Sequence, residues 1–257
     1  MNGRVNWLGV QTLYKKEVMR FLKVYNQTLV APIVNVILLL AIFTLAVGNK
    51  VETIEGVPFH LFMASGLIMM SIVQQAFANT SSTLIMGKVL GTMIDYLLPP
   101  ITAGEMLFCL VASGVTRGII IGIMVTASVW LFVDIHVHSW GLMIFYVIAA
   151  STLLSVLGVI AGIFSDSFDQ MAAITSYIIT PLSFLSGTFY SVKQLPEFWH
   201  NISHYNPFFY MIDGFRYSMT GYSDGSIEAG IFTLLACILV LLVFSQVLLS
   251  RGYKLKT

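Results

Sequence analysis

Six long apolar runs, at roughly 28–48, 59–85, 105–133, 140–163, 171–190 and 228–250, constrain this chain more than any motif in it. Each reaches the ~20 residues that an α-helix needs to cross a bilayer. With 57% of its 257 residues hydrophobic and 10% charged, the chain is too apolar for a soluble core to hide. The runs lack the alternation of barrel strands, and backbone groups in lipid must bond within their own segment, so the runs are read as helices. The expected fold is therefore all-α and polytopic, with six transmembrane helices in residues 28–257 and a separate segment, 1–27, ahead of them.

Six spans place both ends of the chain on one side. That side takes Arg4, Lys15, Lys16, Arg20, Lys23, Lys88, Arg251, Lys254 and Lys256, against Lys50, Lys193 and Arg216 on the other. An excess of Lys and Arg marks the cytoplasmic face, so both termini are expected in the cytoplasm. Glu52, Glu55, Asp134, Glu197, Asp213, Asp224 and Glu228 gather on the opposite side, in agreement. Residues 1–27 are too polar and too long for the charged region of a signal peptide, and none is expected. Cys109 and Cys237 fall inside spans and are expected as free thiols.

Residues 1–27 read as an amphipathic helix. Trp7, Val10, Tyr14, Val18, Phe21 and Tyr25 recur at three- and four-residue steps, with Lys16, Arg20 and Lys23 on the other side. It is expected in the headgroup plane, as a topology anchor or a partner-binding element. Pro32, in the first turn of the next span, suits a sharp elbow. The loop at 86–104 offers a second feature. Gly91-Thr92 reads as a break and N-cap, Met93 to Leu98 as one or two helical turns, and Pro99-Pro100 as a stop. Leu97 and Leu98 would fill a docking pocket and Asp95 would meet a basic partner, although an ordinary inter-helix loop has the same spacing.

A third feature runs from Pro181 to Arg216. The apolar run P-L-S-F-L-S-G-T-F-Y gives way to L-P and then N-P-F-F-Y-M-I-D-G-F-R, within a hairpin at 191–227. Leu195, Phe198, Trp199, Ile202 and Tyr205 form an apolar stripe, which suits a segment dipping into the outer leaflet. Asp213 stands one helical turn before Arg216, and the pair is read as a staple of the hairpin.

These three features together resemble the type-2 permease family of ABC transporters, the membrane subunits of bacterial exporters of drugs, lipids or polysaccharides. The pattern P-L-x-x-x-S-G-x-x-Y, L-P, N-P-x-x-Y-x-x-D-x-x-R carries most of the resemblance, and the loop Gly91 to Pro99 is an independent match. The resemblance implies a type V exporter fold in a bacterial inner membrane, with an N-terminal elbow helix, a coupling helix in the first cytoplasmic loop and a re-entrant external hairpin between spans five and six. It also implies a second permease copy, expected as a homodimer, and two ABC ATPase subunits docked below. Lys16, Arg20, Gly91, Thr92, Asp95, Leu97 and Pro99 would then serve ATPase coupling, and Pro196, Trp199, Asn206, Pro207, Tyr210, Asp213 and Arg216 the external gate.

The sequence contains no G-x-x-x-x-G-K-[ST] loop, so no cofactor is expected in this chain, and ATP and Mg belong to the partner ATPase. Membrane lipids are expected partners and nucleic acid is not. Ser71, Gln75, Asn79 and Ser82 share one face of the second span, and Thr180 and Ser183 one face of the fifth. Such faces either bond neighbouring helices or line a cavity; the resemblance implies a substrate path. Arg117, a charge inside the third span, is expected to snorkel or to pair with Asp166 or Asp169. His136 with His138, and His200 with His204, lack the ligand number of a structural zinc site and are read as interfacial polar residues. The alternatives are a multi-pass membrane enzyme or a secondary carrier, but H-E-x-x-H and paired intramembrane carboxylates are missing from the sequence.

Overall fold

Among the described residues, helix α1 (Trp7–Lys23) is followed by five helices long and apolar enough to cross a membrane, at Asn26–Val47, Phe59–Val89, Ala103–Trp130, Trp140–Phe164 and Ile227–Ser250. They come from a computed structural model that describes residues 6–48 and 51–254, the Leu97 side chain excepted. Arg4, Lys50 and Lys256, three of the charges used to orient the chain, lie outside the described residues. The first long helix opens with a π turn, Asn26–Val30, and continues as α2 (Ala31–Val47). The other four are α3 (Phe59–Val89), α5 (Ala103–Trp130), α6 (Trp140–Phe164) and α11 (Ile227–Ser250), with the short α4 (Ile94–Leu97) between α3 and α5.

The run expected at 171–190 differs from the rest. It forms α7 (Phe168–Ile174), a π turn at Thr175–Ile179 and α8 (Thr180–Leu185), a helical path of about 27 Å at 1.5 Å per residue. It ends at Leu185 because Gly187 turns the chain with φ of 78°. Both π turns end two residues before a proline, Pro32 or Pro181. A proline has no N–H for the carbonyl four residues back and its ring crowds that carbonyl, so a widened turn just ahead relieves both problems. The elbow expected at Pro32 is therefore spread over the π turn before it.

The all-helical expectation is modified once. Thr53–Ile54 pairs antiparallel with Val57–Pro58, closed by Glu55 and Gly56 at φ of 51° and 83°. Two successive positive φ angles are what a tight hairpin turn requires.

Helix α3 is the axis of the bundle. Most of its residues are buried, including Ser65, Asn79, Thr80, Ser81 and Thr83, because α5 and α6 flank it and α2 and α10 (Pro207–Thr220) complete its cover. In lipid, close helix contact rather than water expulsion drives association, and small residues permit it. Gly114 and Gly118 of α5 face Ser155 and Ser151 of α6, and a methyl group at either glycine would collide with the serine Oγ. Gly118→Val is accordingly expected to separate α5 from α6 and to destabilise the fold by about 1–3 kcal/mol or more. Thermal unfolding in detergent measures this, and an unshifted midpoint would contradict the packing.

Two lysines close the end of α6. Lys88 Nζ donates to the carbonyls of Ile163 and Ser165 at 2.6 and 2.9 Å, and Lys254 Nζ to Phe164 O at 3.3 Å. Cations beside unpaired C-terminal carbonyls are favourable, and these two tie α3 and the C-terminal turn to α6. Asp166 lies 3.8 Å from Lys88 and 3.1 Å from Lys254, which occupies the carboxylate expected for Arg117. The outer surfaces of α2 and α11 are apolar, with Val34, Leu38, Ile42, Phe232, Leu239 and Val243 exposed. Cys109 and Cys237 are free thiols.

Candidate functional site

One end of the bundle gathers α1, the end of α3, α4 and the start of α5. Asn6 caps α1 by accepting from Gly9 N at 3.1 Å, and its own N–H donates to Glu105 Oε1 at 2.8 Å. Glu105 in turn closes a capping box with Thr102 at the start of α5. Farther along, Cys109 Sγ donates to Val10 O at 3.4 Å, and the Tyr14 and Thr116 hydroxyls lie 2.7 Å apart. Helix α1 thus leans along α5 over much of its length, which departs from the expected helix lying flat beneath the bundle.

Its inward face is also rotated by about one residue from the expected stripe. Val10, Leu13, Glu17 and Phe21 are buried, whereas Trp7 and Tyr25 are exposed. Glu17, at 0% exposure, is the hub. Its Oε1 accepts from Tyr96 Oη at 2.8 Å, and its Oε2 from Arg20 Nε at 3.0 Å and Thr83 Oγ1 at 2.7 Å. A buried carboxylate is tolerable only when paired and hydrogen-bonded, and this one joins three elements. Burial first, and then the Glu17 charge, push the Tyr96 phenol above its usual range, so it stays protonated and donates.

Arg20 extends the hub into α3. Its Nη2 donates to Asn79 O at 2.8 Å and Thr83 Oγ1 at 2.5 Å, and its Nη1 to Ser82 Oγ at 3.1 Å. Lys16 Nζ stands 4.0 Å from the centre of the Tyr96 ring.

Around α4 the sequence reading needs one correction. The helix begins at Ile94 with Met93 at the cap position and no side-chain cap, and Asp95 N donates to the carbonyl of Thr92 at 3.0 Å rather than to its hydroxyl. Gly91, at φ of 68°, supplies the turn, and the buried Met93 side chain anchors it, so the Thr92 hydroxyl is not needed. Asp95 and Thr92 are exposed and Pro99 is half-buried. Ile94 and Leu98 are 56% and 73% exposed, and Val89 and Leu90 beside them are exposed too. The Leu97 side chain lies outside the described residues. The result is an apolar, acid-edged knob projecting from the bundle end.

The residues expected to line a path fall into two groups. Gln75, Asn79 and Ser82 meet at the α1–α3–α5 junction, where Asn79 Nδ2 donates to Ser113 Oγ at 2.9 Å and Gln75 Oε1 accepts from Arg117 Nη2. Gln74, Gln75, Ala78 and Ser82 form a half-exposed stripe on α3, and Ser71 is buried at its far end. Thr180 and Ser183 sit apart on α8, where Ser183 donates to Ile179 O at 2.8 Å.

The opposite end carries α9 (Glu197–Tyr205) and α10 (Pro207–Thr220). Asn206 caps α10 through Phe208 N at 3.0 Å and donates to Ser186 Oγ at 2.8 Å, joining α10 to the end of α8. Pro196 is the exposed cap of α9, Trp199 is exposed, and Pro207 and Tyr210 are half-buried. Asp213 and Arg216 each staple a different loop. Asp213 accepts from Ser223 Oγ and the N–H groups of Asp224 and Gly225 at 2.8–2.9 Å. Arg216, 1% exposed, donates to Gly187 O at 2.5 Å and Ser65 Oγ at 3.3 Å, and its guanidinium lies 3.7 Å from the Phe62 ring centre. The pair read from D-x-x-R is thus two separate staples. Asp224, which accepts from Ser191 Oγ at 2.7 Å and Val192 N at 2.9 Å, was given no role in that reading. Of the histidine pairs, His200 and His204 meet edge to face one turn apart on α9, with Nε2 atoms 3.3 Å from each other.

Glu17, Tyr96 and Ile94 also escape sequence reasoning. Glu17 alone left a signal, as the one acid in a basic helix, three residues before Arg20.

The chain matches the family model described as ABC-2 type transporter over residues 9–220. It is 33% identical to the inner membrane transport permease YadH of Escherichia coli K12, over 98% of both chains. Similarity extends to nodulation protein J of Sinorhizobium fredii, at 23% identity over 93% of this chain and 90% of the relative. Nodulation protein J of Rhizobium leguminosarum bv. viciae is 25% identical, over 97% and 95%.

Proposed function

Because this chain belongs to the ABC-2 type transporter family, as a membrane permease subunit whose partner is an ABC ATPase, we propose that it is one half of an inner-membrane exporter. Two copies pair, two ATPase subunits dock beneath them, and both termini face the cytoplasm. The apolar run from Phe168 to Leu185 completes a set of six spans, and α9 with α10 re-enters the outer leaflet as the external gate. Pro196, Trp199, Asn206, Pro207, Tyr210, Asp213 and Arg216 belong to that gate. The cargo is amphipathic, a lipid, drug or lipid-linked glycan taken from the cytoplasm or inner leaflet, and it passes Ser71, Gln75, Asn79, Ser82, Thr180 and Ser183 by alternating access.

The observation that carries this reading is the Glu17 hub beneath an exposed apolar knob. A motor in the cytoplasm must push on something rigid. Ile94, Leu98 and Asp95 offer it a docking surface, and Tyr96, on the same short helix, passes the displacement through Glu17 to Thr83 of α3 and Arg20 of α1. Lys16, Gly91, Thr92, Leu97 and Pro99 shape or border that surface. Replacing Ile94 and Leu98 together by aspartate is expected to weaken capture of the co-expressed ATPase about tenfold or more while leaving the exposed knob folded. Co-purification and cargo-stimulated ATP hydrolysis measure it. A double variant that binds and hydrolyses like the wild type would rule the surface out, and purification of an active permease without any ATPase would rule out the whole reading.

A further inference from the structure

Arg117 is a buried cation that the coupling network does not neutralise. It is 6% exposed, its Nη2 donates to the neutral Gln75 Oε1, and its Nε has no partner among the described residues. Its guanidinium carbon lies 5.9 Å from the Phe21 ring centre. No ion pair reaches it among the described residues, and the charged group bearing on it is Arg20, of the same sign. Glu17 and Arg20 pair with each other, so the cluster of Glu17, Arg20 and Arg117 keeps one uncompensated positive charge. Its depth makes this costly. Arg117 stands 13 residues before Trp130, about 20 Å along α5, inside a hydrocarbon layer of ~30 Å and toward its α1 side. A cation held there is costly unless something offsets it.

We propose that Arg117 is the recognition site for an anionic headgroup on an amphiphile entering from the leaflet on the α1 side, with Gln75 as the side chain that the headgroup displaces. This deepens the transporter reading and rests on it for the cargo's fate. Gln75, which bonds the guanidinium, itself belongs to the half-exposed stripe of Gln74, Ala78 and Ser82 on α3. A guanidinium is weakly hydrated and presents a planar fork of donors, which fits phosphate, sulfate or carboxylate oxygens in an apolar setting. The unpartnered Nε and the bond to a neutral amide are what an anion would replace with charge-assisted bonds. The buried Phe21 ring, 5.9 Å from the guanidinium carbon, gives the site an apolar neighbour, which suits an amphiphile.

The test uses the full permease in phosphatidylcholine nanodiscs, alone and with its ATPase, and three probes: dodecyl phosphate, dodecyl maltoside and dodecyltrimethylammonium. Native mass spectrometry of the permease reads binding, and ATP hydrolysis by the complex reads response. Dodecyl phosphate is expected to bind wild type best, about tenfold more weakly to Arg117→Gln, and to recover in part with Arg117→Lys, which keeps the charge but not the fork. Gln75→Glu leaves Arg117 in place and supplies a carboxylate at the position it already contacts, so it should hold the fold and abolish the anionic preference. Equal binding of all three probes to wild type, or an anionic preference that survives in both Arg117→Gln and Gln75→Glu, would overturn the proposal. The anion belongs either to a resident lipid or to cargo, and both outcomes support the site. A resident lipid persists through vanadate trapping of the ATPase, whereas cargo is released. Failure of the wild-type complex to hydrolyse ATP would sink the transporter reading and leave the binding result standing.

Discussion

Glu17→Ala is expected to destabilise the folded protein by about 3 kcal/mol and to disconnect ATP hydrolysis from transport. The carboxylate is fully buried and serves Tyr96, Thr83 and Arg20 together. Removing one partner of a buried pair typically costs 3–5 kcal/mol, and the low end applies because the Arg20 side chain keeps 22% of its exposure and four other acceptor contacts. The Tyr96 hydroxyl would be left buried without an acceptor, so α4 would lose its tie to the bundle while its exposed residues stayed intact. ATPase binding should therefore persist and transport should fail. A double-mutant cycle with Arg20→Met isolates the pair, and a coupling energy of about 1.5 kcal/mol or more is expected. Unfolding in detergent gives the stability, and vesicle transport per ATP hydrolysed gives the coupling. Wild-type behaviour in both would remove Glu17 from the mechanism.

Arg216→Leu is expected to cost about 3–5 kcal/mol, from loss of the bond to Gly187 O and of a desolvated guanidinium–ring contact with Phe62. The Gly187 carbonyl sits at the left-handed turn that ends α8, so its loss should loosen the junction of α8 with α10. Lysine cannot reproduce the fork or the stacking, and Arg216→Lys should recover less than about half of the loss. Asp213→Asn weakens a different set of bonds, to Ser223, Asp224 and Gly225. The two changes should therefore be additive to within about 1 kcal/mol. A large coupling energy between them would restore the direct ion pair that the D-x-x-R spacing suggests.

The difference between that spacing and the observed bonds is general in this chain. Residues three apart on a helix are neighbours, so Asp213 and Arg216 look like partners in one dimension. Each found a stronger set of partners across the fold, in loops that no local rule brings near. Arg117 is the converse case. The sequence offered Asp166 and Asp169 on the same side, but Asp166 is taken by Lys88 and Lys254 at the end of α6, well away from the middle of α5.

By itself the sequence determined the class: long apolar runs admit only membrane-crossing helices, because the backbone must bond within itself wherever water is absent. It also determined where helices stop or bend, since Pro32, Pro181 and Pro207 lack an N–H and Gly187 and Gly91 accept positive φ. The tertiary structure alone decided which face of each polar helix looks inward. Helix α1 buries Glu17 more deeply than Tyr14 or Val18 because Tyr96, Thr83 and Arg20 converge on it, and a carboxylate can be buried only where such partners meet it. The same physics leaves Arg117 positive, because no acid of the described chain reaches it.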